Sequence, residues 1–119
     1  MRITDSELRR SLAEATGDPG TLKTLHWVRS TPKNVQDTSQ ESGMPFSSAY
    51  RKLNSLRAAG LVFVKSIEMT AEGKRQDLFL SAVAEVRGGL TEGEVEFELI
   101  PTREGAERLW FKLFGAQRG

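Results

Sequence analysis

The stretch VQDTSQESGMPFSSAYRKLNSLRAAGLV, Val35–Val62, decides how the rest of the chain is read. A short polar segment ends at Gly43, a residue suited to the left-handed turn that stops a helix. Pro45 follows, and proline is tolerated in a first helical turn because the amide it lacks would have no partner there. Ala49, Leu53 and Leu56 then recur at spacings of four and three, the period of one buried helical face. Gly60 stops that helix, and Leu61-Val62 opens an apolar run of strand character. Helix, glycine turn, second helix is the layout of a helix-turn-helix, the motif whose second helix can lie in the major groove of DNA.

Working outward, residues 4–15 predict a first helix capped by Thr4 or Asp5, with Glu7 available for a capping box and Leu8 and Leu12 one turn apart. Gly17-Asp18-Pro19-Gly20 reads as a break. A second helix over about 21–30 would turn Leu22, Leu25 and Val28 inward, and Thr31-Pro32 would end it. Asn34 is a good cap for the helix that enters the motif, with Asp37 in position to support it. Beyond Gly60, a strand is expected over 61–69, a turn at 70–75 and a second strand over 76–86. That second strand carries Leu78, Leu80, Ala82, Ala84 and Val86 at period two. Arg87-Gly88-Gly89 and Glu92-Gly93 bracket a further connection. Val95, Phe97 and Leu99 alternate with Glu94, Glu96 and Glu98 in a third strand, and a last helix runs from Thr102 to about Phe114.

The 119 residues suit one domain, and 38% apolar content can supply one core. Absence of cysteine excludes disulfides, thiolate metal sites and a cysteine nucleophile. His26, the single histidine, cannot build a zinc or catalytic cluster alone. With no histidine pair and no phosphate-binding glycine loop, we expect no enzyme, no metal and no cofactor. No apolar run approaches a membrane span and no signal-peptide core is seen, so a cytoplasmic, nucleoid-associated protein is expected. Net charge is +1. Its distribution is uneven: residues 29–87 hold nine basic and six acidic side chains, whereas residues 88–119 hold four and six. The positive excess coincides with the motif and the strands after it, and it is small, so non-specific affinity for nucleic acid should be modest.

Helices, a helix-turn-helix and a β-hairpin make a winged helix. The segment from Gly43 through Pro45, Ser47, Ala49, Tyr50, Arg51 and Leu53 to Leu56 and Gly60-Leu61-Val62 resembles the recognition segment of ArsR- and MarR-like winged-helix transcriptional regulators. The resemblance covers residues 20–87, and Thr102-Arg103-Glu104-Gly105 is similar to the opening of the last helix in MarR-like relatives. It implies a homodimer that binds a near-palindromic site on double-stranded DNA and controls transcription. Two departures stand out. Thr38 and Ser39 occupy places where a leucine and an alanine are usual, so the helix over 34–42 should pack less firmly. The acidic third strand has no counterpart in a minimal winged helix.

With Ala49, Leu53 and Leu56 inward, Phe46, Ser47, Ser48, Tyr50, Arg51 and Asn54 are left outward or flanking. Ser47 and Ser48 stand in a first turn whose free amides suit a phosphate or a base edge. Arg51 can fork onto guanine or clamp a phosphate. Phe46 and Tyr50 suit thymine methyls or sugars, although a first-turn aromatic such as Phe46 also folds inward to fill a core. Lys52 is expected on the DNA backbone. Lys74, Arg75 and Gln76 occupy the hairpin tip, where a wing enters the minor groove; a charged tip is equally the default for any exposed turn. Arg57 reads as solvated surface.

The carboxylates Glu92, Glu94, Glu96 and Glu98 could bridge a hard cation, but shielding of an edge strand is the better reading. His26 beside Trp27 is expected at the rim of the second helix. In the last helix, Leu109, Trp110, Leu113 and Phe114 form an apolar stripe suited to dimerisation, or else to covering this subunit's own sheet. The expected fold class is therefore α+β, a single winged helix-turn-helix domain over 1–119. Its motif spans about 34–59, its wing about 61–87, and an extra strand and C-terminal dimerisation helix about 93–115. The alternative function is a winged-helix protein–protein adaptor in a transcription or chromatin assembly, with a protein partner of the transcription machinery.

Overall fold

The computed structural model describes residues 2–114. Element order is β1 (Arg2–Ile3), α1 (Ser6–Gly17), α2 (Pro19–Trp27), α3 (Val35–Ser42), α4 (Phe46–Ala58), β2 (Val62–Met69), β3 (Arg75–Ser81), β4 (Val83–Thr91), β5 (Glu94–Pro101) and α5 (Gly105–Phe114). The α+β class is the one expected, but in place of one hairpin and an extra strand the chain holds two antiparallel hairpins before its C-terminal helix. Strands β2 and β3 form one two-stranded sheet, and a second sheet runs in the order β1-β5-β4.

The helix ends follow local chemistry. Asp5 caps α1 by accepting from the Leu8 amide at 2.8 Å, one residue later than a Thr4–Glu7 box would require. Asp18 caps α2 by accepting from the Gly20 amide at 3.2 Å, with Pro19 opening the helix. The expected break at 17–20 thus shrinks to Asp18, because proline and its preceding cap start a helix as readily as they end one. On α2 the buried residues are Thr24 and the flanking Val28, while Leu22 is exposed. Thr24 tolerates burial because its hydroxyl donates to the Gly20 carbonyl at 2.8 Å.

Helix α3 is held by hydroxyls where a leucine and an alanine would be usual. Asn34 Oδ1 accepts from the Asp37 amide at 2.7 Å. Thr38 is buried and donates to the Asn34 carbonyl at 2.9 Å. Ser39 donates to the Met44 carbonyl at 2.6 Å, across the turn into α4. Gly43 takes φ +74° at that turn, a conformation costly for any residue with a Cβ.

Two expectations about the strands are corrected. Residues 76–86 are not one strand: the chain leaves the first sheet at Ser81 and enters the second at Val83. Phe79 through Val83 are five consecutive buried residues, a pattern that period two cannot produce. The cause is cover on both sides. The Ala82 amide donates to the Leu61 carbonyl at 2.9 Å, and its own carbonyl accepts from the Thr102 amide at 3.0 Å. Secondly, Arg87-Gly88-Gly89 is strand, paired with residues 96–98 of β5. The connection is only Glu92-Gly93, at φ +52° and +81°, a two-residue hairpin turn of the type that matches strand twist. The wing is consequently β2–β3, shorter than residues 61–87.

Strand β5 is central only at Phe97 and Glu98, where β1 pairs on one side through Ile3 and Arg2 and β4 on the other. Its carboxylates therefore shield an edge only near Glu94 and Glu96, where Arg9 also donates to the Val95 carbonyl at 3.0 Å. The buried apolar residues make one cluster spanning both sheets, from Leu8 and Leu12 through Leu53, Leu56 and Phe79 to Phe97, Leu99 and Leu109.

Helix α5 seats on the strand switch. The Thr102 hydroxyl accepts from the Gly105 amide at 2.9 Å and donates to the Ser81 carbonyl at 3.1 Å. A Cβ on Gly105 would lie 2.1 Å from the Ala82 oxygen and 2.4 Å from its Cα. Backbone meets backbone there, so nothing can swing aside. Gly105→Ala should cost about 3 kcal/mol or more in chemical denaturation. Gly17→Ala, at the end of α1 with nothing within 4 Å of the added carbon, should be neutral or stabilising by about 0.5 kcal/mol.

Candidate nucleic-acid interface

At 3.6 residues per turn, the buried stripe Ala49, Leu53 and Leu56 leaves three outer faces on α4. Ser47 and Arg51 stand opposite the core and are exposed. Phe46, Tyr50, Asn54 and Arg57 run down the side facing the wing. Ser48 and Lys52 face the other way, toward α1 and α2. Tyr50 and Phe46 are each 56% exposed, so Phe46 does not fill the core. The outer surface of α4 beside the hairpin is open.

A groove of ≈ 470 Å³ lies between α4, the start of α3 and the wing. Phe46, Tyr50, Asn54 and Arg57 form its helical wall, and Lys74, Arg75 and Gln76 its wing wall. Arg57, which reads as plain surface in the sequence, belongs with this wall. Helical period alone puts Arg57 on the side of Tyr50 and Phe46, seven and eleven residues after them, but does not say that the wing faces that side. Asn34 also lines the groove.

The wing is fixed by two contacts with the segment before α3. Lys33 and Phe79 exchange backbone hydrogen bonds of 3.0 and 2.8 Å. Asn34, while capping α3, donates its Nδ2 to Gln76 Oε1 at 3.0 Å. Gln76 is thus half-buried and occupied as a brace for the wing. At the tip, the Thr70 amide donates to the Lys74 carbonyl at 2.8 Å and Gly73 takes φ +79°. Lys74 is exposed and its ammonium has no partner among the described residues. Arg75 donates to Asp77 at 3.2 Å and remains mostly exposed.

Lys52 has a different partner from the one expected. Its Nζ lies 2.8 Å from Asp18 Oδ2, and its stem covers Gly20. It ties α4 to the start of α2 instead of projecting with Arg51. Asn54 turns along the helix, Nδ2 donating to the Tyr50 carbonyl at 2.8 Å. Arg51 borders a separate polar hollow of ≈ 370 Å³ against α1, lined also by Glu14, Asp18 and Thr21.

Away from this face, Leu109 is fully buried in the subunit's own core and is unavailable to a second copy. Trp110 and Phe111 are 48% and 73% exposed. The side chains of Leu113 and Phe114 lie outside the described residues. Arg108 stacks on the Phe63 ring at 4.2 Å, and Lys65 pairs with Glu104, so α5 is also tied to the wing strand β2. His26 is exposed, edge-on to Trp27. Among the described residues, no group of three or more His, Asp or Glu could hold a metal ion. No described helix is long and apolar enough to cross a membrane.

No protein-family model matches the chain, and no curated protein matches it. Among solved structures, the Vibrio cholerae ferric uptake regulator, whose structure is described as revealing a rearrangement of its DNA-binding domains, aligns over 92% of this chain and 87% of its own. The identity is 16% and the TM-score 0.44, too distant a likeness to carry a functional argument.

The Asp18–Lys52 pair yields a pH prediction. The Lys52 ammonium, helped by the Thr21 hydroxyl, pulls the Asp18 carboxyl from 3.8 down to about 2. A carboxyl lowered on folding stabilises above its unfolded value and loses that contribution as pH falls through its folded value. Melting temperature should therefore fall between pH 4 and pH 2, the window set by 3.8 and about 2. Asp18→Asn should flatten that part of the profile, while its amide still caps α2.

Proposed function

We propose that the chain binds double-stranded DNA sequence-specifically as a transcriptional regulator, with α4 in the major groove and the β2–β3 wing at the adjacent minor groove. One observation carries this reading: exposed Phe46, Tyr50 and Arg57 on α4 face Lys74 and Arg75 of the wing across one groove. Arg51 and Ser47 stand free on the crown of the same helix. Residues that pack or brace are engaged elsewhere, so this face is left for a ligand, and its cations suit phosphate and base edges. Base contacts would come from Phe46, Ser47, Tyr50 and Arg51, with Asn54 held along the helix beside them. Ser48 and Arg57 flank them, and Lys74 and Arg75 hold the backbone. Lys52 and Gln76 serve by positioning.

A homodimer is part of this reading. It would set two α4 helices about one DNA turn, roughly 34 Å, apart. The exposed Trp110 and Phe111 of α5 support a contact there, with Leu113 and Phe114 continuing the same helix. We further propose a cytoplasmic, nucleoid-associated location.

The test is a salt titration of duplex binding by fluorescence anisotropy, together with native mass. Lys74→Ala should reduce the slope of log K against log salt by about 1, whereas Lys52→Ala should leave that slope unchanged and lower stability instead. Arg51→Ala should cost about 1–3 kcal/mol on a selected specific site. Equal loss on random duplex would make Arg51 a phosphate clamp. Failure to bind any duplex at low salt, with capture of a stable protein partner, would instead favour the protein-adaptor reading.

A further inference from the structure

Two rings on α4 point to a base preference, and this preference rests on the duplex-DNA reading. Phe46 and Tyr50 are one helical turn apart and each 56% exposed, on the side that faces the wing. Neither is needed by the core, whose α4 contribution is Ala49, Leu53 and Leu56. Phe46 has no hydrogen-bonding group, so it cannot read the donors and acceptors of a base edge. The one apolar group that a base pair presents in the major groove is the C5 methyl of thymine. Next to the rings, Asn54 has turned one of its two amide hydrogens onto the Tyr50 carbonyl at 2.8 Å. That amide lies along the helix instead of reaching outward for adenine. Asn54 is thereby turned away from adenine, while the two rings stand outward beside it.

The wing favours the same base pairs by different physics. Lys74 stands at a turn tightened by Gly73, with its ammonium unpaired among the described residues. Tracts of A·T pairs have a narrow minor groove with enhanced negative potential, which attracts an inserted Lys or Arg. We infer that α4 and the wing together select A·T-rich duplex, with Phe46 and Tyr50 as readers of thymine methyl groups and Lys74 as the sensor of minor-groove width. Arg51, on the crown of α4, stands apart from these rings, and a guanine it reads would flank the A·T stretch.

Alternating dA·dT and dA·dU duplexes differ only in the C5 methyl, so they test the assignment without knowledge of a natural site. Binding of the full chain to each, and to alternating dG·dC, would be read by anisotropy at fixed low salt. The wild-type chain should prefer dA·dT to dA·dU by about fourfold per methyl contacted, with dG·dC weakest. Phe46→Ala combined with Tyr50→Ala should bring dA·dT and dA·dU to equality while leaving the melting temperature near that of the parent, since both rings are exposed. Lys74→Ala should narrow the gap between dA·dU and dG·dC and leave the methyl effect intact. Equal wild-type binding to dA·dT and dA·dU would overturn methyl reading and leave the duplex reading standing. Persistence of the methyl effect in the double variant would overturn the assignment to these two rings. Failure to bind all three duplexes would overturn the duplex reading, and this preference with it.

Discussion

Backbone meets backbone where Gly105 lies against Ala82, and the remainder of the molecule is arranged around that contact. Ser81 and Ala82 are fully buried, and a buried peptide group must find a partner or cost the fold dearly. Each finds one on a different element. The Ser81 amide donates to the Val28 carbonyl at the end of α2 at 2.7 Å. The Ala82 amide donates to Leu61, where α4 gives way to the wing, and the Ala82 carbonyl accepts from Thr102 before α5. Three otherwise separate parts are thereby joined at two residues. A side chain at position 105 would drive α5 off this junction and uncover Leu109.

A similar division of labour governs how α4 is presented. Its inner stripe is apolar, its flank is tied to α2 by Lys52 and Asp18, and the turn before it is held by Ser39 on the Met44 carbonyl. Part-exposed ion pairs of this kind add modestly to stability. Their effect is to fix the rotation of the helix. The polar residues of α3 do the same work inwardly, since Thr38 and Ser42 return their hydroxyls to the helix's own carbonyls. Rigid support on three sides leaves the outer face, with its two aromatic rings and free cations, as the part of the helix with no structural duty.

Much of this is legible in the residues themselves. Gly43, Pro45 and Gly60 mark the ends of α4 because their backbone preferences hold whatever surrounds them. Asn34 declares the start of α3 for the same reason. The outward set Phe46, Ser47, Tyr50 and Arg51 comes from helical period alone. Partners of long side chains do not. Lys52 meets Asp18 across 34 positions of sequence, and Gln76 meets Asn34 across 42, so their roles as brace and tie depend on how the elements pack. Arg57 reads as plain surface because its helical side acquires meaning only when the wing stands beside it.

Local chemistry in the chain therefore determined where helices begin and stop, which face of α4 is apolar, and that the fold mixes α with β. Tertiary structure decided where the long strand breaks. Leu78, Leu80, Ala82, Ala84 and Val86 keep a regular alternation through the switch, and alternation carries no information about which sheet will receive the chain. The answer came from the carbonyl of Leu61 and the amide of Thr102, each about twenty residues away, which claim the peptide groups of Ala82 and turn one apparent strand into two.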